Sequence, residues 1–162
     1  MAINQPPYQN SLNRGGKEIV NDIWHKWFLS IYESQFKNIV VVKSKFQLQG
    51  NLSSSVLYLL DGVIDMGSTS ITVPEGGLSI AGLNGARDIS KLVSSEDNYT
   101  LFVTDTYSGN LVMESLSIEV TGTGSQVFNL DNAENSSALD IVNVNFNNCT
   151  SLGELTDYRQ LF

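Results

Sequence analysis

The sequence predicts a mainly β chain: an N-terminal arm and one amphipathic α-helix, followed by turns of a right-handed parallel β-helix. Three observations predict it. Apolar residues recur with helical spacing as far as Tyr32 and with strand spacing from Asn38 onward. Short Val/Ile/Leu stretches are then divided by Gly, Asn, Asp and Ser. Some of these stretches also echo at fixed offsets. LVMESLSIEV (111–120) superposes on LDIVNVNFNN (139–148) at a shift of 28, with Met113 over Ile141, Leu116 over Val144 and Ile118 over Phe146. LFVTD (101–105) superposes on VFNLD (127–131) at a shift of 26, with Phe102 over Phe128 and Asp105 over Asp131. Repeats of this length suit a solenoid, in which no turn buries its apolar face alone. A β-sandwich is the alternative.

Residues 1–16, MAINQPPYQNSLNRGG, form the arm. Pro6 and Pro7 favour extended backbone, and Gly15-Gly16 break any helix. Residues 17–37 form the helix. Ile19, Val20, Ile23, Trp24, Trp27, Phe28, Ile31 and Tyr32 fall on one wide face, and Val20, Trp24, Trp27 and Ile31 keep the spacing of a coiled-coil seam. So aromatic a face is not left in water. Residues 38–162 hold the strands. In NIVVVKSKFQLQG, Val42, Ser44, Phe46 and Leu48 alternate with polar neighbours. SVLYLLDG, VIDMG, SITVP, GLSIAG, TLFVTD, NLVMESLSIEV, QVFNLD and ALDIVNVNF follow. ARDISKLVSS (86–95) is the one later stretch with a helical stripe.

The 162 residues suit one domain with an adaptor, and 41% hydrophobic residues allow a real core. The net charge of −8 is divided unevenly. Residues 1–50 carry six basic and three acidic side chains, whereas 51–162 carry three basic and fourteen acidic. The two parts therefore face different partners, and the acidic part repels nucleic acid. The start has no signal-peptide pattern, and the apolar runs are too short to span a bilayer. The single Cys149 excludes an internal disulfide and reads as a small inward hydrophobe.

No catalytic, metal or cofactor site is expected in this segment. His25 stands on the helix without a nucleophile motif. Asp61 and Asp65 are too far apart on a straight strand for paired-carboxylate chemistry. Asp105 and Asp131 would stack on adjacent turns and are the best such pair, although Asp at solenoid corners more commonly caps turns. TGTGSQ and EGGLSIAG lack the Walker lysine and read as turns.

YLLDGVIDMGSTSITVPEGGLSIAGLN, SLSIEVTGTGSQVF and VNVNFNNCTSLGEL together resemble the opening turns of the pectin-lyase-like β-helix in bacteriophage tail fibre and tailspike-type virion proteins. The Pro-bearing arm and the W-x-x-W-F helix are similar to the N-termini by which such fibres attach. The resemblance implies a homotrimeric virion protein, made in the host cytoplasm. Its N-terminus would attach to tail, baseplate or capsid proteins through Pro6, Pro7, Tyr8, Ile23, Trp24, Trp27, Phe28 and Ile31. The β-helix would project toward a host surface glycan or protein. It further implies a longer fibre beyond LGELTDYRQLF, which has no capping element. A polysaccharide depolymerase with its catalytic part beyond this chain and a head-attached decoration fibre are the alternatives.

Overall fold

Alternating apolar residues between tight polar corners give strands that must stack, and the computed structural model shows how they do so. It describes residues 38–85, 88–132, 137–158 and 160–161. The expected arm and helix, 1–16 and 17–37, lie outside the described residues. Nearly all of the described chain belongs to one compact unit, Ile39–Phe162.

Fourteen strands occur among the described residues: β1 (Asn38–Val42), β2 (Val56–Leu60), β3 (Val63–Asp65), β4 (Ile71–Thr72), β5 (Leu78–Gly82), β6 (Lys91–Ser94), β7 (Thr100–Val103), β8 (Leu111–Glu114), β9 (Ser117–Val120), β10 (Gln126–Asp131), β11 (Ala138–Val142), β12 (Asn145–Phe146), β13 (Gly153–Thr156) and β14 (Gln160–Leu161). They form three sheets, ordered β1-β2-β5-β8-β11-β14, β3-β6-β9-β12 and β4-β7-β10-β13. From β2 onward every pairing is parallel. The chain therefore visits the three sheets in rotation, and β2–β4, β5–β7, β8–β10 and β11–β13 make four circuits. A β-sandwich needs antiparallel sheets, so that alternative fails.

The offsets seen in the sequence are the register itself. Met113 pairs with Ile141, Ile118 with Phe146, and Phe102 with Phe128. Inward residues thus stack in columns: Tyr58, Ile80, Met113 and Ile141 in the first sheet, and Ile64, Leu92, Ile118 and Phe146 in the second. In the third, the rings of Phe102 and Phe128 stack with centroids 5.7 Å apart, and Phe146 meets Phe128 edge-on at 6.0 Å, geometries that add to area burial.

Side-chain hydroxyls join the corners of successive circuits. Ser90 Oγ donates to the Leu60 carbonyl at 2.8 Å, Ser94 Oγ to Gly67 at 2.8 Å, Ser125 Oγ to Glu96 at 2.6 Å and Thr150 Oγ1 to Gly122 at 3.0 Å. Each reaches from one circuit to the one before. The passage from first to second sheet takes a left-handed residue, with φ of 92° at Gly62, 54° at Ser115 and 55° at Asn143. Small polar residues tolerate or satisfy such backbone, which explains the chain's richness in Ser, Asn and Gly.

Two expectations are corrected. The alternation at Lys43–Gln49 is not a strand: Lys45–Leu48 is a 3-10 turn, with Phe46 73% exposed and Leu48 fully buried. Gln47 imposes it. Its side-chain oxygen accepts from the Lys43 and Ser44 amides, and its nitrogen donates to the Val41 carbonyl. The helical stripe at 86–95 is also not a helix among the described residues. Lys91–Ser94 is β6, with Leu92 and Ser94 buried, and Ile89 stands 57% exposed. There the spacing of two is obeyed and the spacing of 3.6 is incidental.

Candidate partner-binding end of the stack

The expected partner-binding residues, Pro6, Pro7, Tyr8, Ile23, Trp24, Trp27, Phe28 and Ile31, lie outside the described residues. The described part has two ends of its own, and they are built differently.

At the β2–β4 end, the stretch after β1 crosses the first circuit. Lys45 Nζ donates to the Met66 carbonyl at 3.4 Å, and Gln49 Nε2 donates to Thr69 Oγ1 at 3.1 Å. The Ser53 amide donates to the inward Tyr58 hydroxyl at 3.0 Å. Leu48 is thereby pressed into the core beside Val42. Leu60, Ile64, Met66, Ile71 and Val73 of the first circuit are all buried.

At the β11–β13 end, β14 pairs with β11, but no stretch crosses β12 and β13 among the described residues. Ile141, Val144, Phe146 and Leu155 pack against the core but are only partly buried. Their counterparts one circuit earlier, Met113, Leu116, Ile118 and Leu130, are buried. Leu152 stands 52% exposed. β12 and β13 close the order of their sheets, so each has a strand neighbour on one side only among the described residues. β13 is held from behind: the Val127, Phe128 and Asn132 amides donate to the carbonyls of Ser151, Leu152 and Thr156. The Tyr158 hydroxyl hydrogen-bonds Ser108 Oγ at 2.7 Å and fixes the chain after β13. The charged residues described between 137 and 158 are Asp140, Glu154 and Asp157, all acidic.

Burial raises the pKa of the Tyr158 phenol, partly offset by its bond to Ser108. Burial also raises that of the Cys149 thiol, and the nearby Glu119 charge adds to the effect. Cys149 packs against the core with Sγ 3.4 Å from the Ile118 carbonyl. A protonated, half-covered thiol is a poor nucleophile.

The acidic pairs are used structurally or lie in the open. Gly62 bends the chain between Asp61 and Asp65. Asp61 pairs with Lys43 at 3.4 Å, and Asp65 accepts from the Gly67 amide at 2.9 Å. Asp105 and Asp131 are both exposed. β7 stops at Val103, and the Asp131 amide donates to Thr104 Oγ1 at 2.9 Å. Among the described residues no three His, Cys, Asp or Glu side chains gather as a metal site. No helix there is long and apolar enough to cross a membrane.

Leu152, Leu155 and Tyr158 escaped the sequence reading. The one signal for them was the 25-residue offset that sets Leu155 under Leu130, and Gly153 in place of a third phenylalanine obscured it.

No protein-family model matches the chain, and neither curated proteins nor solved structures give a match.

Proposed function

We propose that this chain is a structural module of a bacteriophage fibre or tailspike: a parallel β-helix spike carried by an N-terminal attachment segment, working as a homotrimer and without catalysis in this segment. The observation that carries the reading is the rotation of the chain through three parallel sheets, β2 pairing with β5, β5 with β8 and β8 with β11. Such a stack grows in one direction by adding circuits, so it converts chain length into reach. The charge division supports the polarity: a basic, aromatic N-terminal part for docking and an acidic part for projection. The segment resemblances and the W-x-x-W-F stretch support the phage assignment.

In this reading Trp24 and Trp27 anchor the attachment, since large aromatic rings dominate interface energetics. The test is the double variant Trp24→Ala/Trp27→Ala. It stays folded by circular dichroism but is missing from assembled particles. A variant that unfolds or aggregates before assembly overturns the attachment role. Light scattering of the unaltered chain at micromolar concentration reads the trimer directly, and a monomer there counts against self-association.

A further inference from the structure

We infer that the Asp61–Gly62 corner is a site of spontaneous backbone modification, at which the folded chain isomerises through a cyclic imide to isoaspartate and so loosens its first circuit. The inference goes beyond the fibre reading and is independent of it, since it needs only the corner and its neighbours.

The sequence supplies the reactive pair. Of the nine aspartates only Asp61 precedes a glycine; the others precede Ile, Met, Asn, Thr or Tyr. Imide formation brings the next residue's amide nitrogen onto the aspartate Cγ, and a side chain on that residue obstructs the approach.

The fold leaves the pair accessible. Asp61 and Gly62 join β2 to β3 and belong to neither strand. A Cβ placed on Gly62 would meet nothing within 4 Å, so the space beside this residue is open. Its φ of 92° lies in the region that glycine alone enters freely. The Asp61 side chain is 41% exposed, and it pairs with Lys43 Nζ at 3.4 Å, itself 71% exposed. An exposed ion pair of this kind holds a carboxylate weakly. Asp65 and Asp97 are held more firmly, with one carboxylate oxygen taken by the Gly67 and Thr123 amides respectively.

The bond changes balance. The Gly62 nitrogen attacks Asp61 Cγ, a C–N bond forms, and the amide proton leaves with the carboxyl hydroxyl as water. The five-membered imide then takes up one water. Opening the new C–N bond restores aspartate. Opening the original peptide bond instead routes the main chain through Cβ and Cγ, and frees the former main-chain carbonyl as the carboxylate. No oxidant or cofactor enters.

The isomer has one more main-chain carbon and a carboxylate arm one carbon shorter. The Asp61 amide donates to the Val42 carbonyl at 2.9 Å, and the Gly62 carbonyl accepts from the Lys91 amide at 3.0 Å. These two bonds pin the corner to β1 and to β6 across a fixed length of chain. An added carbon between them cannot keep both, and the shortened carboxylate draws back from Lys43. The disturbance therefore falls on β1 and β3 and leaves the later circuits as they are.

The test ages the full 162-residue chain in neutral buffer at physiological temperature. Peptide mapping with electron-transfer fragmentation tells isoaspartate from aspartate at equal mass; deamidation elsewhere changes the mass and is thereby separated. Isoaspartate accumulates at position 61 ahead of every other aspartate. Asp61→Glu keeps a carboxylate for Lys43 but would need a six-membered imide, and it stays free of the isomer. An aged folded chain without isoaspartate at 61 overturns the inference. So does isoaspartate spread evenly over the aspartates, or formed at 61 only in urea, since the fold would then lock the corner. Hydrogen exchange compares aged with fresh chain. The amides of β1 and β3 exchange about fivefold faster or more after isomerisation, and those of β12 and β13 do not change. Equal exchange in β1 and β3 before and after overturns the loosening.

Discussion

The first and last circuits use the same kinds of residue and end in different states. Ile64 and Ile71 are as buried as residues in the middle of the stack, because Val42, Leu48 and the Lys45–Gln49 stretch lie against the first circuit. Phe146 closes the column that Ile64 begins, Leu155 lies against the buried Leu130, and both stay half-covered. Burial in a stacked fold is thus set by the neighbour rather than by the residue. A turn is finished only when something lies on both its sides.

The sharpest way to break this comparison is to truncate one leucine at each end. Leu48→Ala removes a fully buried side chain from the covered end and should cost about 2–5 kcal/mol in urea unfolding. Leu155→Ala, already half-exposed, should cost less than about 1.5 kcal/mol. Equal losses would show that the two ends are equally closed.

A second test uses two tyrosines, Tyr99 buried and Tyr158 half-buried. The Tyr99 hydroxyl donates to the Thr69 carbonyl, joining the second circuit to the first, whereas Tyr158 holds the chain after β13. Burial lifts both phenols above their ordinary pKa, Tyr99 further, with the Asp65 charge adding to it. The folded state therefore keeps the proton that the unfolded chain gives up near pH 10. The stability this represents is whole below that pH and lost as pH rises above it. Tyr99→Phe should flatten the alkaline limb of the stability curve more than Tyr158→Phe. At neutral pH it should cost about 1 kcal/mol for the lost hydrogen bond.

Gln47→Ala tests the clamp that turns the chain across the first circuit. It removes the bonds to Lys43, Ser44 and Val41, on an exposed side chain, and should cost about 0.5–1.5 kcal/mol. Amide exchange of β1 should quicken while β12 and β13 stay as they were. The smallest effect is at Cys149. Its raised pKa and partial cover should slow alkylation at pH 8 by about tenfold relative to the urea-unfolded chain.

Much of the described fold was legible because stacking copies its own pattern. Met113 over Ile141 and Phe102 over Phe128 could be aligned by eye, since each column wants one kind of residue. What stayed hidden has physical causes. β6 was masked by Ile89, Leu92 and Val93, whose spacing also fits a helix. The turn at Lys45–Leu48 looked like a strand because Phe46 and Leu48 alternate correctly, while the deciding contacts come from the side chain of Gln47. The half-open end was not visible at all, because exposure depends on what lies above a residue and the sequence of 144–155 resembles that of buried circuits. The attachment residues around Trp24 and Trp27 rest on composition and resemblance.

The circuits are unequal in length. Along the first sheet Tyr58 meets Ile80 after 22 residues, Ile80 meets Met113 after 33, and Met113 meets Ile141 after 28. Register survives these differences because the surplus lies between strands: eight residues separate β5 from β6, whereas Ser115 and Leu116 alone separate β8 from β9. Asp88 and Ile89 of the longer stretch sit exposed. The molecule therefore behaves like a bookshelf, with fixed shelf spacing and free overhang. A foreign epitope or enzyme tag spliced between Asp88 and Ile89 should be displayed without disturbing the columns behind it.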